Sequence, residues 1–320
     1  MNVLLVTSWG VQCGIASHSA YLKQAVEQAD PSIQVRPDAA WLDPNVPPAV
    51  PIDLIHLNYH AGLHSRWTPA AIAIWREAYR IPVLVTYHDT GVPNSDQCKA
   101  ICAAADYFVV HEPYDDLSAN GEYLRMGVPT HIPTAHQQPI SAWYAGRRFL
   151  GTVGFDFPWK CWNELARVTA AAGWGFYICT PTLTEVRQAE LLQLNPFMLF
   201  ALGLSDVDIL VRLHACDATA FTNVCHNTGQ SAAILQGIGA LKPVIALSTC
   251  RQYRALYADP LGHITIRWVE TFADIEASLN YLRSSPLFTH YDPVVAELAA
   301  QDSWTTVGRR YADIYRKLVR

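Results

Sequence analysis

Short, uniformly apolar runs alternate with amphipathic segments along the first part of this chain. The runs at 2–7, 33–37, 52–57, 83–87, 107–110 and 130–132 read as strands. Between them, 15–28, 69–79, 96–104 and 114–126 carry apolar residues at helical spacing. Strands that are apolar at nearly every position bury both faces, which calls for a parallel sheet covered by helices on each side.

The pattern then restarts. A strand at 149–154 is followed by a helix at 160–172, a strand at 175–179 and a helix within 183–194. A helix at 205–214 and strands at 218–221 and 244–247 complete a second α/β series. Two such series in one chain predict two Rossmann-like domains facing across a cleft. The expected division is 1–142 and 143–302, with the join in the polar, Pro- and Gly-containing stretch 137–148. In the tail, 303–320, Val307, Tyr311, Ile314, Tyr315 and Leu318 form one apolar stripe. That stripe needs a docking surface, expected on the N-terminal domain. Open α/β sheets bind ligands beyond the carboxyl ends of their strands. The loops after Thr7, Tyr87, Gly154, Cys179 and Phe221 are therefore the ones expected to line the cleft.

Composition narrows the function classes. With 320 residues, 51% hydrophobic and only 16% charged, the chain has apolar material for two cores. A formal charge of −5 gives no general attraction to nucleic acid or anionic membranes. Met1 and Asn2 run straight into an apolar strand with no charged leader or cleavage site, and no apolar run reaches membrane-spanning length. A cytoplasmic protein is expected, and its eight dispersed cysteines read as reduced core thiols. Cys98 and Cys102 stand four apart, near His88 and His111, but lack the second ligand pair that a zinc site needs. His56, His60 and His64 share that spacing on what reads as a strand running into a loop, so they read as strand-end and loop residues. No metal ligands are expected.

The segment 223–247, NVCHNTGQSAAILQGIGALKPVIAL, carries the most chemistry. Thr228, Gly229, Gln230 and Ser231 precede an almost uncharged helix, whose unpaired N–H groups and dipole favour an anion. A buried α/β helix with glycines for close packing accounts for the same pattern.

The order of these segments resembles the GT-B glycosyltransferases, nearest to the large retaining family 4. SWGVQCGIASHSAYL looks like the family's glycine loop, and VTYHDT like its strand-end His-Asp segment. VGFDFPWKCWNELARV falls on the Gly-Arg…Lys-Gly signature, and TGQSAAILQGIGALKPVIA on the Glu-Gly…Glu-Ala…Gly-x-Pro-Val signature; ACDATAF resembles the small-Asp-strand element before it. Two departures stand out. Both family glutamates are replaced, by Thr228 and Gln236, and Phe155 occupies the arginine position, for which Arg251 or Arg254 is a substitute.

The resemblance implies a hexosyl- or pentosyltransferase using a nucleoside diphosphate sugar as co-substrate, retaining, independent of metal and without further cofactor. It places Gly14, Gly154, Lys160, Thr228, Gly229, Gln230, Ser231 and Gln236 at the donor, with Lys160 against the diphosphate and Gln236 at a ribose hydroxyl. His88 and Asp89 fall beside the transferring sugar, and Asp89 or Asp156 is the carboxylate nearest the acceptor. A front-face substitution suits a site so poor in carboxylates. Trp9, Tyr59, Trp67, Tyr87, Trp159 and Trp162 offer sugar-stacking faces or core packing. The acceptor hydroxyl is open: a glycan, a lipid-linked sugar, a small molecule or a modified DNA base. The lost glutamates also permit an inactive GT-B module that binds a nucleotide sugar or a partner protein; a GT-B epimerase would need more carboxylates than this chain supplies.

Overall fold

The computed structural model describes residues 1–11, 13–39, 43–44, 50–88, 95–112, 120–130, 139–224, 230–284 and 293–320. The chain forms two compact α/β units. The first comprises Met1–Gly127, Asn227–Gln230 and Asp302–Arg320, and the second Val128–His226 and Ser231–Gln301.

Six parallel strands make the sheet of the first unit: β1 (Asn2–Val6), β2 (Gln34–Asp38), β3 (Leu54–Tyr59), β4 (Val83–Tyr87), β5 (Tyr107–Val110) and β6 (Gly121–Tyr123). They lie in the order β2-β1-β3-β4-β5-β6. Alternate residues of each strand feed opposite faces. Leu4 and Val6 of β1 pack with Ile55, Leu57, Val83 and Val85 under the helices Pro69–Tyr79 and Ser95–Ala104. Val3 and Leu5 pack with Leu54, Leu84 and Val109 under the helices Gly14–Ala29 and Trp304–Leu318. The apolar stripe of the tail thus closes one face of this sheet. Gly308 lets the two helices touch: a Cβ there would stand 2.6 Å from backbone and side-chain atoms of Ala25.

The second sheet contains β7 (Phe149–Val153), β8 (Gly175–Thr180), β9 (Met198–Leu202), β10 (Ala218–Phe221), β11 (Val244–Leu247) and β12 (Arg267–Val269). Its order is β12-β11-β10-β7-β8-β9, again all parallel. One core joins Leu150, Ile178, Ala220 and Ile245 to Trp162, Leu165, Ile275 and Leu279 of the flanking helices.

Several expectations are corrected. Where a helix was expected over 114–126, the edge strand β6 occupies 121–123, and 113–119 lie outside the described residues. Thr130 belongs to no strand, and 131–132 lie outside the described residues. β3 runs two residues further than expected, so His56 is a buried mid-strand residue rather than a strand-end one. β9, β12 and the helices Phe272–Ser284 and Pro293–Gln301 add to the expected elements. Among the described residues, no helix is long and apolar enough to cross a membrane.

Candidate functional site

In the second unit the chain starts at β7, builds outward through β8 and β9, then returns to the other side of β7 with β10. The β7/β10 pair is therefore a topological switch point, and the crevice beyond its carboxyl ends is where open α/β sheets take ligands. Gly154 follows β7 with φ of +141°, a conformation open to glycine, and donates its N–H to Cys179 O at 3.1 Å. Lys160 folds back over it: a Cβ on Gly154 would stand 3.1 Å from both Cε and Nζ of Lys160. The loop after β10 fixes this arrangement. Thr222 Oγ1 donates to Lys160 O at 2.8 Å, and the N–H of Val224 donates to Trp159 O at 2.9 Å.

Two other expected donor residues, Ser231 and Gln236, lie in the second unit, at the start of and within the helix that follows β10. Ser231 is the N-cap residue of the helix Ala232–Gly239, but its hydroxyl makes no capping bond, and no acidic residue occupies the first turn. No carboxylate in the first turn therefore repels an anion at this helix start. Gln236 donates through Nε2 to Asp206 Oδ1 at 3.2 Å, which commits one of its amide hydrogens to the fold. Asp156 is paired with Arg187 at 3.1 Å. Arg251 is exposed on the turn after β11, next to Gln252, whose Oε1 accepts from Asn223 Nδ2 at 2.7 Å. Asn223 Oδ1 is buried with no hydrogen-bond partner. Thr222 falls on a loop expected to line the cleft and Asn223 opens the 223–247 segment, yet the sequence assigns neither a role, because a Thr-Asn pair after a strand carries little signal of its own.

The first unit has its own switch point, between β1 and β3. Gly14 opens the helix Gly14–Ala29 behind Cys13, whose sulfur accepts from the Ala16 N–H at 3.3 Å. A Cβ on Gly14 would meet nothing within 4 Å, so packing does not demand glycine there. One turn on, His18 and Ser19 point inward against β3. Asn58 Nδ2 donates to Ser19 Oγ at 2.6 Å and stands 3.3 Å from His18 Nδ1, while its Oδ1 accepts from His88 Nε2. His88 directly follows β4, and its N–H donates to Tyr59 O at 3.0 Å. Across the sheet, His111 directly follows β5, with Nδ1 donating to Leu124 O at 2.7 Å.

Three imidazoles thus converge at the carboxyl edge of this sheet. Ring centroids lie 4.7 Å apart for His18 and His88, 5.2 Å for His18 and His111, and 5.0 Å for His88 and His111. Burial, reinforced by the neighbouring imidazoles, holds His18 and His88 well below the usual imidazole range. Burial also lowers His111, to about 4. All three are neutral near pH 7.

Gln230 belongs to the first unit, where its Oε1 accepts from the Met126 N–H at 2.6 Å and its Nε2 is buried with no hydrogen-bond partner. Asp89, Thr228 and Gly229 lie outside the described residues. Of the expected sugar-stacking aromatics, Tyr59, Trp67, Tyr87 and Trp162 are core residues. Trp9 and Trp159 are exposed, and Trp159 stacks on Phe157 with centroids 4.4 Å apart.

No protein-family model matches the chain, and no curated protein matches it in sequence. Its fold is nevertheless that of known GT-B glycosyltransferases. It superposes on HepE of Anabaena in complex with UDP and glucose with a TM-score of 0.71 at 12% identity, over 99% of this chain and 100% of that one. AviGT4, a glycosyltransferase involved in avilamycin A biosynthesis, matches with a TM-score of 0.59 at 13% identity, over 99% and 97% of the two chains. The pneumococcal O-GlcNAc transferase GtfA, in complex with UDP and GlcNAc, matches with a TM-score of 0.61 at 10% identity, over 83% of this chain and 57% of that one.

Proposed function

We propose that this protein is a glycosyltransferase that moves a sugar from a nucleoside diphosphate sugar to an acceptor hydroxyl, with retention and with no metal at the diphosphate. The observation that carries this reading is Lys160, laid over Gly154 at the β7/β10 switch point. The same fold binds UDP in HepE and GtfA.

In the proposed reaction the bond from the anomeric carbon to the diphosphate oxygen breaks. The acceptor oxygen bonds to that carbon on the same face, and its proton passes to the departing phosphate oxygen. Negative charge grows on the diphosphate, and a lysine ammonium with helix N-terminal amides can take it up without a cation. Tethering the Lys160 loop through Thr222 and Val224 prepays the cost of ordering it. His88 commits Nε2–H to Asn58, which leaves Nδ1 to accept from a hydroxyl of the transferring sugar. The acceptor class stays as broad as the sequence left it.

A second reading, an inactive module that binds a nucleotide sugar, is favoured by Gln236, which replaces a family glutamate and spends its amide on Asp206. Incubation with a panel of nucleotide sugars separates the two. A transferase releases nucleoside diphosphate in an acceptor-dependent manner, whereas a binding module is stabilised by the donor and turns nothing over.

A further inference from the structure

We propose that His18, His88 and His111 form a binding site for a zinc-class divalent transition ion in the first unit. The three come from the first helix, the end of β4 and the end of β5. One ligand atom from each lies within 4.8 Å of the others. Among the described residues they are the one such group of His, Cys, Asp or Glu. With zinc–nitrogen bonds of about 2.0–2.1 Å and tetrahedral angles, three imidazole centroids fall roughly 5 Å apart. The observed 4.7, 5.2 and 5.0 Å match that spacing.

The surroundings resemble the support that metal-binding histidines need. Their far nitrogens are held by a backbone carbonyl or a side-chain amide, which fixes ring orientation. Leu124 O does this for His111 and Asn58 Oδ1 for His88. The near nitrogens are left over: Nε2 of His18 and Nε2 of His111 are buried with no hydrogen-bond partner, in side chains only 2% and 1% exposed. A buried polar nitrogen without a partner costs free energy that an ion would recover. His18 Nδ1 accepts from Asn58 Nδ2 at 3.3 Å, so ligation through Nε2, which moves the remaining proton of His18 onto Nδ1, requires the Asn58 amide to swing away from that ring. His88 is the least buried of the three, and zinc held by three imidazoles takes water or another oxygen in its fourth position. An all-imidazole set suits zinc, cobalt or nickel and not magnesium or calcium, which take oxygen ligands. The ion takes the His88 Nδ1 that the proposed function gives to the transferring sugar, so ion and sugar compete for it, and occupancy is read without any sugar.

The test uses the untagged full chain stripped with chelator and titrated with Co²⁺. The site predicts one equivalent bound, with the intense visible bands of tetrahedral Co²⁺, bands that Zn²⁺ displaces. His111→Gln and His18→Gln should each weaken binding at least about tenfold, while His64→Gln, a buried histidine outside the cluster, should not. A melting-temperature rise of the unaltered chain with micromolar Zn²⁺, and none with Mg²⁺ or Ca²⁺, provides a readout that does not depend on the variants folding. Three results would overturn the proposal: no tetrahedral spectrum, a sulfur-to-cobalt charge-transfer band pointing to the Cys98–Cys102 pair, or undiminished binding in a folded His111→Gln protein.

Discussion

In the proposed reaction Lys160 and His88 carry the chemistry at the residue scale, and they should fail differently. Lys160→Ala removes one preorganised charge contact, typically worth about 2–4 kcal/mol in the transition state. It should weaken nucleoside diphosphate binding and depress turnover, whereas Lys99→Ala, an exposed change on the helix Ser95–Ala104, should do neither. Calorimetric titration with nucleoside diphosphate, run beside turnover on both variants, checks this; indistinguishable variants would take Lys160 out of the site. His88→Ala should leave diphosphate affinity close to the parent's and lower kcat, because its proposed contact is to the sugar and strengthens as charge develops. Full activity in a normally folded His88→Ala protein would sink that role. Neither residue was hard to find in the sequence. What the sequence withheld was the company they keep: Asn58, His18 and His111 reach His88 from segments 30, 70 and 23 positions away, through sheet order that no local spacing encodes.

Between helix and strand, the tail is the clearest structural claim. Trp304–Leu318 is held to the first helix by the close approach at Gly308 and to the sheet by a buried polar chain. Tyr315 OH meets His56 Nδ1 at 2.7 Å, His56 Nε2 meets Thr86 Oγ1 at 2.7 Å, and Thr86 Oγ1 meets Tyr311 OH at 2.9 Å. Gly308→Val should push the helices apart and cost about 1–3 kcal/mol, read as a lower urea midpoint. Arg316→Ala, which removes exposed ion pairs with Asp30 and Asp313, should move that midpoint far less. Equal losses in the two would contradict the packing account. The same chain makes stability pH-dependent. Burial lowers His56 to about 3, against about 6.5 in an unfolded chain. Between those values the unfolded chain binds a proton that the folded one does not. Stability therefore falls as pH drops below about 6.5 and levels off above it, with a slope of about 1.4 kcal/mol per pH unit for each such histidine. Urea midpoints at pH 5 and pH 7 should differ less in His56→Gln than in the parent; the same difference in both would remove His56 from the acid response.

For the molecule as a whole, two parallel α/β series were legible because apolar strands such as 83–87 and 218–221 are read directly, and the tail because its stripe is long and regular. β6 was not legible. It has three residues, all half-buried at a sheet edge, too short for either period to show. β9 was open to reading as an apolar run after Asn195 and Pro196, and went unnamed. The crevice at the β7/β10 switch point was largely foreseeable, because both strands were read from the sequence. Thr222 and Asn223 were the exceptions, because their part depends on loop-to-loop hydrogen bonds. The central claim is sugar transfer with retention, supported by Lys160 rather than a metal at the diphosphate. The most direct measurement follows the anomeric proton of the transferred sugar by NMR, with chelator present and the productive donor and acceptor from the panel. The account predicts a product with the donor's anomeric configuration, formed in chelator and strongly diminished in Lys160→Ala. An inverted product, transfer that requires added Mg²⁺ or Mn²⁺, or donor left intact across the whole panel would contradict it.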